Sequence, residues 1–222
     1  MSKVTAPLLS FGAAGQIAKT QVYASWKGRP YARRFVVPAN PQSDGQKLTR
    51  NIFTYLFGLY RYGTADSLAA MSAAATGARI TPANMYPRAN LKTARANVNN
   101  NALVLSPGAG GAPACPAFTT TPHATTIDIS VPEPVLPNGW TDTPIVYAAA
   151  VNNWSGTTYA DVGTSHFMSG DSQDTPAAGA YSLTLPDLVT ATDYTIVAWY
   201  SVVRPDNSIA YGASVALVET TS

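Results

Sequence analysis

The sequence predicts an α+β N-terminal domain, a β-hairpin plus helices, followed by an all-β antiparallel sandwich. Three observations predict it. Charge splits along the chain: residues 1–95 hold thirteen Lys and Arg against two acids, and residues 96–222 hold one against ten, so the parts carry +11 and −9. Helical apolar spacing is confined to the first part, while strand-like runs with turn residues between them fill the second. Between them, NVNNNALVLSPGAGGAPACPAF (97–118) is uncharged and rich in Asn, Gly, Pro and Ala, the composition of a linker. The boundary is set near residue 110, giving domains 1–110 and 111–222.

Taken in order, QIAKTQVYASW (16–26) and PYARRFVV (30–37) are rich in strand formers, and Lys27-Gly28-Arg29 between them supplies a short loop. Adjacent strand residues point to opposite faces, so Arg33 and Arg34 are expected apart, with Trp26, Phe35 and Val37 turned towards the helices. Pro38 and Pro41 end the second strand. Ser43 and Gln46 then stand at capping-box spacing. The helix they open carries Leu48, Ile52, Leu56 and Leu59 as an apolar stripe, flanked by Phe53, Phe57 and Tyr60, and stops before Gly63. An Ala-rich helix is predicted over 67–76, closed by Gly77. A third starts with Thr81 as N-cap and Pro82 as its first residue, and Pro87 is expected to kink or restart it before 91–95.

Five strands are predicted in the second part: 124–131, 143–151, 180–186, 193–203 and 208–219. RPDNS (204–208) supplies a hairpin turn. LPDLVTATDY (185–194) resembles the corner before the sixth strand of fibronectin type III and other immunoglobulin-like domains. There a leucine lies six residues before a tyrosine, as Leu188 and Tyr194 do. The resemblance covers about residues 115–222. It implies that the Tyr194 hydroxyl bonds back to the chain, that Leu188 enters the core, and that the sandwich is immunoglobulin-like.

Candidate chemistry is sparse. The single cysteine, Cys115, excludes an internal disulfide and points to a reducing compartment; with no base beside it, it is expected to be inert. His123 is expected in solvent and His166 half-buried beside Phe167 and Met168; neither stands at metal-ligand spacing. GDSQDTP (170–176) offers two acids where a calcium loop wants several. SFGAAGQIAKT (10–20) lacks the Gly-Lys-Ser/Thr ending of a phosphate loop and precedes a strand, so Gly12 and Gly15 are taken as turn or bulge residues. No catalytic residue, metal or cofactor is expected. Neither an export signal nor a membrane span is expected, since no apolar run approaches about 18 residues.

The order of motifs at the N-terminus resembles a family of phage and prophage structural-region proteins. Its pattern is matched by Gly15 to Thr20, by Trp26-Lys27-Gly28 with Arg33, by Pro38-Ala39-Asn40-Pro41, and by Gln46 with Arg50. ITPANMYPRANL (80–91) is similar to its closing helix, so coverage is about residues 10–95. Ala18 stands where the family has glycine, 65–76 lacks its tryptophans, and Pro87 interrupts the closing helix. The resemblance implies a non-enzymatic structural protein of a tailed bacteriophage virion, in capsid decoration or at the head-tail neck, made in the host bacterial cytoplasm. Its partners would be other virion proteins (capsid, portal, neck or tail) in a symmetric multi-copy assembly. Lys27, Arg29, Arg33, Arg34 and Arg50 are the candidate virion contacts.

Two rival readings stay open. Nucleic acid could be held by residues 19–61, where Arg and Lys would neutralise phosphates and exposed aromatics stack bases. Alternatively the sandwich loops could bind host-surface glycan through Trp140 and Trp154, although a loop tryptophan serves equally as a lid on the core.

Overall fold

A computed structural model describes residues 2–3, 14–26, 29–37, 39–76, 78, 80–97, 99–140, 142–153, 167–173 and 175–222. The predicted elements on Gly12, Lys27, Gly28, Pro38, Gly77, Trp154 and His166 lie outside the described residues. The chain is mixed α+β with a large β-rich portion and forms two compact units, Met1–Gln42 and Ser43–Ser222.

The first unit is a four-stranded antiparallel sheet in the order β1-β4-β3-β2, with β1 at Ser2–Lys3, β2 at Gly15–Ile17, β3 at Gln21–Trp26 and β4 at Arg29–Arg34. The predicted hairpin is β3–β4, in register from Gln21 opposite Arg34 to Trp26 opposite Arg29. The predicted first strand, however, is two strands. Ala18 and Lys19 take left-handed φ of 45° and 54°, and the Thr20 N–H donates to Ile17 O at 2.8 Å. Strand propensity did not register this reversal because the turn holds no Gly, Asn or Asp, the residues that normally mark it. The inward packing expected of Val37 is also corrected. Val36 and Val37 follow β4 as exposed chain, 61% and 75% accessible, and Phe35 is half-buried. Among the described residues of this unit only Ala32 is buried.

The second unit begins with three helices. α1 (Asp44–Tyr62) starts where the sequence places it, after Ser43, but the capping box does not form. The Ser43 carbonyl accepts the N–H groups of Gln46 and Lys47 at 2.9 Å, and its side chain makes no cap bond. Asp44 in the first turn supplies negative charge against the helix dipole instead. Of the predicted stripe, Ile52, Leu56 and Leu59 are fully buried, together with Tyr55. Each fully buried aliphatic contributes about 1.5–3 kcal/mol. α2 (Ala65–Ala75) begins two residues earlier than expected because Thr64 is the cap, its hydroxyl accepting the Ser67 N–H at 3.3 Å. α3 (Pro82–Asn97) has the predicted Thr81 cap, which accepts the Asn84 N–H at 3.3 Å. It runs unbroken through Pro87. The one intrahelical donor that proline removes lies in the first half of the helix, and Pro87 itself is buried.

Nine strands follow among the described residues. β6 (Thr119–Pro122), β7 (Ile127–Pro132) and β10 (Ala180–Leu185) form one antiparallel sheet in the order β10-β7-β6. A second sheet runs β5-β12-β11-β8-β9, with β5 at Pro107–Ala109, β8 at Ile145–Asn152, β9 at Phe167–Gln173, β11 at Asp193–Val203 and β12 at Ile209–Ala213. β13 (Val215–Thr220) also pairs with β11, so one predicted strand, 208–219, is split at Ser214. The predicted turn at 204–208 closes with Asn207 N–H on Arg204 O at 2.9 Å.

Alternation along the central strands assigns their two faces. Tyr194, Ile196, Ala198, Tyr200 and Val202 of β11 and Val146, Ala148 and Ala150 of β8 meet Ile127, Ile129, Val131, Tyr181, Leu183 and Leu185 from the other sheet in one apolar cluster. The intervening Val197, Trp199, Ala149 and Val151 point the other way. There they join Ile52, Tyr55, Leu56 and Leu59 of α1, Ala70 and Met71 of α2, and Tyr86 and Ala94 of α3. The second sheet therefore has apolar layers on both faces, which is why β11 is buried from Tyr194 to Val202 without a break.

This shared core overturns the predicted boundary near residue 110. The helices belong with the strands that follow them, and the division falls after Gln42. Nor is 97–118 a linker. Leu103, Leu105, Ser106, Cys115 and Phe118 are buried within it, and side chains satisfy its irregular backbone. Buried Asn90 of α3 accepts the Val104 N–H at 2.7 Å and donates to Val104 O at 2.9 Å, acting as a strand partner would. Asn100 donates to the Tyr55 hydroxyl at 2.8 Å and to Asn152 O at 3.1 Å, tying α1 to the end of β8. Ser106 donates to Gly212 O at 2.7 Å. Gly212 is required there: a Cβ would lie 2.1 Å from the Tyr200 ring and 2.8 Å from Pro113 O.

Candidate functional site

The basic stretch singled out from sequence is carried by β3 and β4, and the register sorts it. Residues two apart on a strand share a face. Arg29, Tyr31 and Arg33 of β4 therefore lie on one face, and Arg34 lies on the other with Ala32. Both faces were expected to receive cations, and they do so unequally. Arg29, Arg33 and Arg34 are all exposed, and Tyr31 is half-buried between the first two. Lys3 stands opposite Tyr31 in the register, and Trp26 opposite Arg29. None of these three arginines makes an ion pair with a described residue, and residues 1–42 contain six Lys and Arg and no Asp or Glu at all. The surface is thus positive with no counter-charge within its own sequence. Lys27 lies outside the described residues.

Arg50, the remaining candidate, is exposed on α1 in the second unit and is not part of this sheet. A second basic feature went unnoticed in the sequence. Arg88, Lys92 and Arg95 line an open groove along α3 with Pro87, Leu91 and Ala96. Their spacing of four and three was the available signal, hidden because Pro87 was read as ending the first part of the helix.

Five acids of the second unit accept hydrogen bonds from their own neighbours. Asp128 meets His123 at 3.1 Å and accepts from Thr184 at 2.8 Å. Asp171 accepts backbone N–H groups of Ser172 and Thr184 at 2.8 and 3.0 Å. Asp193 accepts from Thr220 at 2.5 Å and Glu219 from Thr120 at 2.5 Å. Asp206 is held below the usual carboxylate range, first by the Ser208 hydroxyl, then by the Ser208 N–H, with Arg204 3.4 Å away.

The other candidates resolve as follows. Burial pushes the Cys115 thiol up to about 12, so it is not a nucleophile near neutral pH. Trp140 is half-buried and packs against the core between the two sheets, the placement of a lid on that core. Trp154 lies outside the described residues. Leu188 is buried, and the Val189 N–H donates to the Tyr194 hydroxyl at 2.9 Å, which is the corner geometry expected of these two residues. Thr64, Asp66, Tyr147, Asp171, Ser172 and Trp199 line a crevice of about 210 Å³ where α2 meets β8 and β9. Among the described residues no group of three or more His, Cys, Asp or Glu is placed to hold a metal, and no helix is long and apolar enough to cross a membrane.

No protein-family model matches the chain, and no curated protein matches it at a significant level.

Proposed function

We propose that this chain is a non-enzymatic structural protein of a tailed bacteriophage particle, serving in capsid decoration or at the head-tail neck in a symmetric multi-copy assembly. Lys27, Arg29, Arg33 and Arg34 of the basic N-terminal stretch and Arg50 of α1 supply the anchoring contacts, and the acidic β-rich part is the exposed portion. The observation that carries the reading is polarity in fold as well as in sequence. A sheet without one acid precedes a body that holds every acid of the chain, several of them in local bonds such as Asp193 with Thr220 and Asp171 with Thr184. The motif order from Gly15 to Arg50, similar to phage structural-region proteins, supports the virion setting.

The β-rich part is, in this reading, an immunoglobulin-like sandwich. Three features support it: a three-stranded sheet β10-β7-β6 sharing a core with β8 and β11 of the second sheet, antiparallel pairing among the described strands, and the Leu188–Tyr194 corner. Such modules display loops on a rigid scaffold, which suits an outward-facing accessory domain. The test is reconstitution. Purified chain added to particles that lack it should co-sediment saturably, and replacing Arg29, Arg33, Arg34 and Arg50 by Gln should abolish this. Absence of co-sedimentation with heads, necks and tails alike would sink the proposal.

A further inference from the structure

We infer that the Arg29–Tyr31–Arg33 face of the N-terminal sheet binds the phosphate backbone of a nucleic acid. This deepens the anchoring role proposed above by naming what one side of the anchor meets. It rests on assigning the basic sheet to the anchoring side, while the binding itself can be measured without a particle.

The inference stands on register and on the absence of counter-charge. Arg29 and Arg33 are four residues apart on one strand, about 13 Å at the rise of an extended chain. They project from the same face, both exposed, with the Tyr31 ring position between them and Lys3 in register beside it. A regular polyanion presents charges at every step along such a line, and an aromatic side chain among arginines on an open sheet is the arrangement that stacks unpaired bases. Arg34, on the opposite face beside Ala32, is excluded from this surface and is left for protein contact.

The competing occupant is an acidic protein surface, above all the body of a second copy. The structure disfavours it. Asp128, Asp171, Asp193, Asp206 and Glu219 each accept hydrogen bonds from their own neighbours, so pairing them with arginines of another copy would disturb bonds already made.

The test is a salt titration of the full chain with a labelled homothymidine oligonucleotide, a mixed-sequence duplex, and polyglutamate. Nucleic acid should bind with a dissociation constant of about 10⁻⁶ to 10⁻⁴ M near physiological salt. Arg29→Gln with Arg33→Gln should lower the slope of log K against log salt by about 1.4 for the single strand, at about 0.7 per lost phosphate contact. Arg34→Gln should leave that slope unchanged. Tyr31→Ala should weaken single-strand binding about tenfold and duplex binding little. Far-ultraviolet circular dichroism of each variant controls for folding. Three results would overturn the inference: no binding to either nucleic acid at about 50 mM salt, an equal loss from Arg34→Gln, or polyglutamate binding as tightly as the oligonucleotide. Failure of particle reconstitution alongside salt-dependent oligonucleotide binding would overturn the virion reading and leave this one standing.

Discussion

The two units of this chain solve different problems. The body, residues 43–222, encloses two apolar clusters, one between its sheets and one beneath its helices, and the amides of its buried Asn90 and Asn100 are hydrogen-bonded. The N-terminal sheet buries only Ala32 among its described residues and exposes Arg29, Arg33, Arg34, Val36 and Val37. A sheet of this size with so little buried gains little from its own packing. The contrast teaches where selection for stability ends: the body is organised inward, and the sheet is organised around what it presents.

Five experiments break or sharpen that contrast. The largest effect concerns the sealed interior. Because the Cys115 thiol keeps its proton up to about 12, against 9.0 for an ordinary thiol, alkylation of the folded chain near pH 8 should be on the order of a thousandfold slower than after unfolding. The folded state thus holds a proton that the unfolded state releases near 9.0. The associated stability is complete below that pH and is lost as pH rises towards about 12, so the denaturation midpoint should fall over this alkaline range. Fast alkylation of native protein would show that the core is not closed there.

Leu56→Ala should cost about 2–5 kcal/mol and, because α1 shares its cluster with β8 and β11, should lower hydrogen-exchange protection in those strands too. Loss confined to the helices would restore a boundary near residue 110. Asn90→Ala should cost about 2 kcal/mol by leaving both polar groups of Val104 unpaired, read as a shift in urea midpoint. Tyr194→Phe should cost about 1 kcal/mol through the lost Val189 bond. Smallest of all, Arg29→Gln with Arg33→Gln should change stability by no more than about 0.5 kcal/mol, since neither arginine pairs with a described residue. A larger loss would mean that these arginines hold the fold together rather than serve a surface.

Much of the body was legible. The β7, β8, β10 and β11 strands lie close to where alternation and apolar runs place them, and the Leu188–Tyr194 spacing forecast a specific hydrogen bond. Short or weakly patterned strands were not legible. β5 is three residues, Pro-Gly-Ala, whose strand state comes from pairing with β12 and not from their own preference, and β6 is only four residues with no apolar alternation to mark it. The candidate surface was half legible: the sequence separated Arg33 from Arg34, but placing Arg29 with Arg33 and Tyr31 needed the strand bounds.

By itself the sequence determined the local grammar: helix starts at Asp44 and Pro82, a hairpin turning at 27–29, the hydrogen bond of the Tyr194 hydroxyl, and a charge split that composition alone displays. Only the tertiary structure decided which elements share a core. The Asn-, Gly- and Ala-rich segment 97–118 is a linker by composition and a packed connection in space, because Asn90 and Ser214 bond its irregular backbone while its own Asn100 and Ser106 bond the backbones of β8 and β12, at distances of up to 109 residues along the chain. Composition registers propensity over a window of neighbours. Burial depends on partners that no window contains.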